Sequence, residues 1–163
     1  MDEIGIVPAR EKDLDLVLGI LSDAAELLAS KGLPTQWGPG VLSGEKIRNQ
    51  TRHGEVFLAK LGEETVGTVT LQWSDQIFWK EAPSDAGYMH KLAVRRTYAG
   101  RGLGLVMLAW AATQASVAGK KFLRLDCLAD NKRIREYYER VGFVHKGDVG
   151  PLGWKASLYE KRI

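Results

Sequence analysis

The sequence predicts an α+β fold, organised as one domain over residues 1–163. Three observations carry that reading. Apolar residues switch between a spacing near two and a helical spacing along the chain. The resulting order, β-α-α-β-β-β-α-β-α-β-β, lacks the regular alternation of a wound parallel sheet. One β-α-β unit, Met89 to Leu128, still calls for a parallel strand pair with a right-handed crossover.

Ile4 to Pro8 is short and β-branched and reads as the first strand. From Glu11 to Ser30, Leu14, Leu16, Val17, Ile20, Leu21, Ala24, Leu27 and Leu28 keep a helical period. Lys31-Gly32 and Pro34 stop that helix. Thr35 to Gly40 is a loop carrying Trp37. Ser43 caps a second helix running to Arg52. Glu55–Leu61 and Thr65–Trp73 are strands joined by a tight turn at Gly62-Glu63-Glu64. A loop from Ser74 to Asp85 leads to the strand Gly87–Val94. The next helix, Gly102 to Ala118, sets Leu103, Val106, Met107, Trp110, Gln114 and Val117 on one expected buried face. Lys121–Leu128 is a strand, Asn131–Val141 a helix closed by Gly142. Phe143–Lys146 and Trp154–Lys161 are the last strands.

At 163 residues the chain can bury a full core without staples. A single cysteine, Cys127, rules out an internal disulfide and a cysteine-rich zinc site. With no signal-peptide pattern and no membrane-length apolar run, the expected location is the cytoplasm. The net charge of +3 hides a split: Lys91 to Lys146 holds 12 basic and 4 acidic residues, the remainder 11 and 16. The basic part suits a polyanion and the acidic part a cation; the alternative is that both are solvated helix faces.

Inside the basic part, Leu92-Ala93-Val94 ends an apolar run. A linker follows, then Ala99-Gly100-Arg101-Gly102-Leu103-Gly104-Leu105 opens a helix. Glycines allow close backbone approach, and unpaired amides at a helix start bind phosphate oxygens. A Walker loop would need Lys-Ser/Thr where Leu105-Val106 stands. A dinucleotide fingerprint would follow its strand directly, and here five residues separate Val94 from Gly100.

This turn, together with Asn131 and then Tyr138-Glu139 ahead of Gly142-Phe143, resembles the GNAT acetyltransferase family. The resemblance implies a mixed, mostly antiparallel sheet of six or seven strands, about four flanking helices and a splayed central parallel pair. It implies transfer of an acetyl group from acetyl-CoA to an amine. Backbone groups of Leu92, Ala93 and Val94 would face the acetyl and pantetheine part, and amides from Ala99 to Leu105 the pyrophosphate. The family usually carries Arg or Gln where Ala99 stands, so that contact is either lost or taken over by Arg96 or Arg101. Asn131 would bond pantetheine and Tyr138 would protonate the leaving thiolate.

Attack needs a neutral amine, so a base or water chain is required. His90 is the first candidate, on the strand where arylalkylamine N-acetyltransferases place histidine. Asp126 is the second, five residues before Asn131, where ribosomal-protein acetyltransferases carry a glutamate base. Asp75 and His145 are weaker. An ion pair of Asp126 with Arg124 or Lys91 is the plain alternative. A lone strand cysteine is usually core, so Cys127 is not expected to be a nucleophile. Trp37, Trp73, Phe78 and Trp79, with Asp75, Glu81 and Asp85, would suit an amine acceptor. The loop Asp148–Gly153 before Trp154 would close over it.

The expected function is thus acetylation of a small-molecule primary amine. No metal, nucleic-acid or membrane partner is expected; a homodimer is possible. The rivals are a protein N-terminal or lysine acetyltransferase and a non-catalytic acyl-CoA sensor.

Overall fold

The computed structural model describes residues 3–33, 37, 42–80 and 83–163. Its strands are β1 (Ile4–Pro8), β2 (Val56–Leu61), β3 (Glu64–Gln72), β4 (Ala86–Val94), β5 (Phe122–Leu128), β6 (Val144–Val149) and β7 (Ala156–Arg162). Its helices are α1 (Leu14–Ser30), α2 (Gly44–Arg52), α3 (Leu103–Val117) and α4 (Lys132–Arg140). The strands form a seven-stranded sheet in the order β1-β2-β3-β4-β5-β7-β6. It is mostly antiparallel, with β4 and β5 parallel. The α+β class and strand number agree with the expectation.

The chain divides into two compact units: Met1–Leu71 with Lys91–Trp110, and Gln72–His90 with Ala111–Ile163. In the first, Leu14, Val17, Ile20 and Leu21 of α1 pack with Ile47 of α2, Val56 and Leu58 of β2, and Ala93 of β4. Positions 14, 17 and 21 form one helical stripe, which is why α1 is amphipathic. Glu11–Asp13 is a 3-10 turn rather than the start of α1. It is held by the Arg10 N–H donating to Asp13 Oδ2 at 2.9 Å. Ser43 caps α2 as expected, its Oγ accepting from the Lys46 N–H at 3.3 Å.

In the second unit, β5 pairs with β7 along its whole length, from Phe122↔Arg162 to Leu128↔Ala156. The parallel ladder of β4 and β5 is shorter, running from Ala86↔Phe122 to Met89↔Leu125. His90 and Asp126 are the first residues beyond it. The very next residue, Lys91, has φ of +51°, a left-handed conformation that side chains other than glycine rarely adopt. Such a residue inside a strand costs about 1–3 kcal/mol and persists only where the surrounding structure holds it. The sequence does not announce it, because no glycine stands at the position.

The buried face of α3 differs from the expected one. Leu103, Met107, Ala111 and Ala115 are buried, with Leu108, while Val106 and Val117 are exposed. Leu103 to Ala115 is an i, i+4 series whose last two members are alanines. Small side chains let a helix axis approach its neighbour closely, so burial here does not follow side-chain size. β6 extends to Val149, beyond the expected Lys146, and β7 begins at Ala156 instead of Trp154.

Candidate active site

The glycine turn expected to hold phosphate lies in the first unit. Arg96–Tyr98 forms one 3-10 turn after β4, and α3 starts at Leu103. Gly100 and Gly102 have φ of +78° and +76°. A Cβ at either would meet open space, so the requirement for glycine is conformational rather than steric. The Val106 N–H closes the first helical bond onto the Gly102 carbonyl at 3.2 Å. That leaves the amides of Leu103, Gly104 and Leu105 at the positive end of the helix dipole without an intrahelical acceptor. The Ala99 N–H is not available in the same way, since it donates to the Arg96 carbonyl at 3.1 Å.

The arginines that would take over the contact missing at Ala99 are both engaged. The Arg101 guanidinium stacks over the Tyr98 ring at 5.0 Å, and the Tyr98 hydroxyl donates to Glu64. Arg96 lies 3.6 Å from Asp23. Leu92 and Val94 are half-buried, while Ala93 joins the core. Gly67 of β3 has a steric role. A Cβ there would stand 2.7 Å from the Ala93 carbonyl oxygen and 3.2 Å from Met107 Sδ.

The second unit holds the residues expected to act as acid and base. His90 Nδ1 lies 3.3 Å from Asp126 Oδ1, and its Nε2 lies 3.3 Å from Asp75 Oδ2. The imidazole is 17% exposed and each carboxylate only 4%. The contacts are close ion pairs without hydrogen-bond alignment. Neither Asp75 Oδ2 nor Asp126 Oδ1 has a hydrogen-bond partner among the described residues. Burial alone would depress the His90 pKa, but Asp126 and Asp75 together outweigh it and raise it from 6.5 to about 9. Burial opposes ionisation of Asp75 too, yet His90 and the N–H groups of Phe78 and Ile77 hold its pKa below 3.8. These causes favour the imidazolium at neutral pH, a form with no lone pair to accept a proton, which weighs against the base role expected of His90.

Ligand atoms of Asp75, His90 and Asp126 lie within 4.8 Å of one another. Each ring nitrogen, however, faces a different carboxylate. A metal ion takes one imidazole lone pair, so this arrangement suits a doubly hydrogenated imidazolium better than a ligand set. Asp126 does not pair with Arg124. The Arg124 guanidinium reaches Glu160 at 2.7 Å and Asp85 at 3.4 Å.

Asn131 caps α4, its Oδ1 accepting from the Ile134 N–H at 3.1 Å, so only its amide NH2 can serve a ligand. Tyr138 is buried on α4, with ring centroids of Phe143 and Tyr159 at 5.7 and 6.3 Å. Burial first, and nearby Cys127, Tyr137 and Asp126 next, push its pKa well above 10. The phenol keeps its proton at neutral pH, and the upward shift makes it a weaker acid than a free tyrosine. Burial likewise pushes the Cys127 thiol up to about 12, so it is no thiolate nucleophile at neutral pH. His145 is tied to Asp148 at 2.8 Å in the β6–β7 hairpin.

The aromatic residues separate by environment. Trp37 packs against the core of the first unit. Trp73 is 43% exposed, with Lys120 Nζ over its ring at 5.7 Å. Trp79 lies against Tyr88 at 6.1 Å and beneath Arg124 at 5.0 Å. Phe78 meets Trp154 at 5.5 Å. Glu81 lies outside the described residues.

Residues 28–143 match the model of the acetyltransferase (GNAT) family. The chain belongs to the GNAT family. It is 34% identical over 164 residues to the uncharacterised N-acetyltransferase YesJ of Bacillus subtilis, covering 96% of this chain and 88% of that protein. These matches make it an acyltransferase of the N-acetyltransferase type. A GNAT acetyltransferase of Listeria monocytogenes superposes with a TM-score of 0.83 at 24% identity, covering 98% of this chain and 95% of that one. The PaiA N-acetyltransferase of Thermoplasma acidophilum, solved with coenzyme A, gives 0.75 at 16% identity, covering 99% of each chain. At those identities the two structures establish the shared fold. Among the described residues no helix is long and apolar enough to cross a membrane.

Proposed function

We propose that this GNAT protein transfers the acetyl group of acetyl-CoA directly to a primary amine of a small molecule. The observation that carries the reading is the buried Asp75–His90–Asp126 group in the second unit. Two carboxylates flank one imidazolium, so negative charge is in excess. A buried excess of negative charge attracts a cation strongly because screening is weak there. An ammonium-bearing acceptor fits.

The residues divide the work as follows. The amides of Leu103, Gly104 and Leu105, with Gly100 and Gly102 shaping the turn, hold the pyrophosphate of acetyl-CoA. The Asn131 NH2 bonds the pantetheine arm. Asp126 receives the proton of the acceptor ammonium, which leaves a neutral amine. The amine nitrogen attacks the thioester carbonyl, and a backbone N–H of Leu92–Val94 stabilises the oxyanion. The C–S bond then breaks, Tyr138 protonates the departing sulfur, and the second proton shed by the attacking nitrogen as the amide forms returns to the Tyr138 phenolate. Cys127, held as a thiol, forms no acyl intermediate.

Ligand-induced thermal stabilisation tests the donor half. Acetyl-CoA at 100 times its Kd should add about 2.7 kcal/mol to stability. An unchanged melting temperature at millimolar acetyl-CoA would refute the reading.

A further inference from the structure

The loop between β3 and β4 is pinned to the second unit at two places. Toward its end, the Arg124 Nη1 donates to the Pro83 carbonyl at 3.3 Å and to the Tyr88 hydroxyl at 2.8 Å, and its guanidinium covers Trp79. Near its start Asp75 holds it to the sheet, and Lys120 Nζ lies over the Trp73 ring at 5.7 Å. Asp75 uses its two oxygens differently. Oδ1 accepts from the N–H groups of Ile77 at 3.0 Å and Phe78 at 2.9 Å, which winds the loop into a turn. Oδ2 faces His90 at 3.3 Å. On the opposite side of the imidazole stands Asp126, fixed in β5 by its register with Leu158 of β7. His90 thus bridges a strand carboxylate to a loop carboxylate. The turn that Asp75 makes delivers Phe78 to Trp154, just before β7.

We propose that His90 is a positioning residue: by bridging Asp126 to Asp75 it fixes residues 75–78, and with them the Phe78–Trp154 pair that selects the acceptor. The proposal rests on the reading of this unit as the acceptor side. Without His90, Asp75 and Asp126 are two buried carboxylates with nothing between them. Their repulsion then acts on the partner that can move, which is the loop one.

Two readouts test this. The first needs no turnover: amide hydrogen exchange at Ile77 and Phe78 should speed at least tenfold in His90→Gln, with exchange in β5 and β7 unchanged. Asp75→Asn keeps an oxygen for the two N–H groups but removes the charge pair, and should give the same acceleration. It also serves if His90→Gln folds poorly. Unaltered exchange at Ile77 and Phe78 in Asp75→Asn overturns the proposal. The second readout is kinetic, with an amine that the wild-type protein acetylates. His90→Gln should raise the acceptor KM about tenfold and lower kcat less than threefold, with the Kd for acetyl-CoA unchanged. Adding Phe78→Ala to His90→Gln should cost little beyond Phe78→Ala alone, because both disable the same wall. A loss confined to kcat, or effects that simply add, would overturn it. If no amine is acetylated, the proposed function fails while the exchange experiment still decides the positioning role.

Discussion

Replacing His90 by Gln should destabilise the protein in a way that depends on pH. His90 stands at about 9 in the fold against 6.5 in the open chain. A group whose pKa is raised by folding contributes stability that is full below its unfolded pKa and lost as pH rises through its folded one. For His90 that means a full contribution below pH 6.5, fading between 6.5 and about 9. The difference between the two pKa values corresponds to about 3 kcal/mol. Removing one partner of a buried ion pair costs a similar amount, about 3–5 kcal/mol, because the remaining charge is left uncompensated. The lower edge of the window comes from Asp75, whose pKa lies below 3.8, so its share is lost only in stronger acid. The assay is thermal unfolding of wild type and His90→Gln in parallel from pH 5 to pH 10. At pH 6 the variant should melt about 6–12 °C lower. By pH 10 the two curves should nearly coincide, since the wild-type imidazole is then neutral too. An equal gap at pH 6 and pH 10 would show that His90 contributes packing alone. It would refute the ionic account of the site.

Tyr138→Phe should lower kcat about 100-fold while the Kd for acetyl-CoA changes little, as expected for loss of a general acid; unchanged turnover removes Tyr138 from that role. Cys127→Ser should keep kcat within a few-fold of wild type, because a thiol held at about 12 is not the nucleophile; abolished transfer together with an acetylated wild-type cysteine in mass spectra would contradict this. Gly67→Ala sets a Cβ 2.7 Å from the backbone oxygen of Ala93. It should reduce stability by about 1–3 kcal/mol and weaken acetyl-CoA binding, read by chemical denaturation and calorimetry, since the strand that must shift carries the backbone proposed to face the donor.

The fold was largely legible because most elements carry their own local signals. Ser43 announces α2, the glycines at positions 100 and 102 announce a turn, and Ile4–Pro8 is β-branched. Legibility failed where burial was uncoupled from side-chain size or polarity. On α3 the alanines at 111 and 115 are buried while Val106 and Val117 face solvent, so an apolar count selects the wrong stripe. On β6 the residues His145, Lys146 and Asp148 sit on an edge strand, where charge protects against unwanted pairing and hides the apolar alternation. The site divides in the same way. His90, Asp126 and Asp75 could each be nominated from residue type and strand position. That they form one group, and that the group keeps His90 charged, depends on contacts between a loop, β4 and β5, which no local pattern encodes. The left-handed Lys91 is equally silent in sequence, because strain is imposed by the surrounding structure and not by the residue that bears it.

The central claim is acetyl transfer to a small amine, and acceptor-dependent release of the CoA thiol tests it most directly. Purified protein with acetyl-CoA and a panel of polyamines, arylalkylamines, amino acids, aminoglycosides and peptides should release thiol at a rate that saturates with at least one small amine. An acetylated product of matching mass should appear alongside. Release with peptide substrates only, or with none of the panel, would contradict the account.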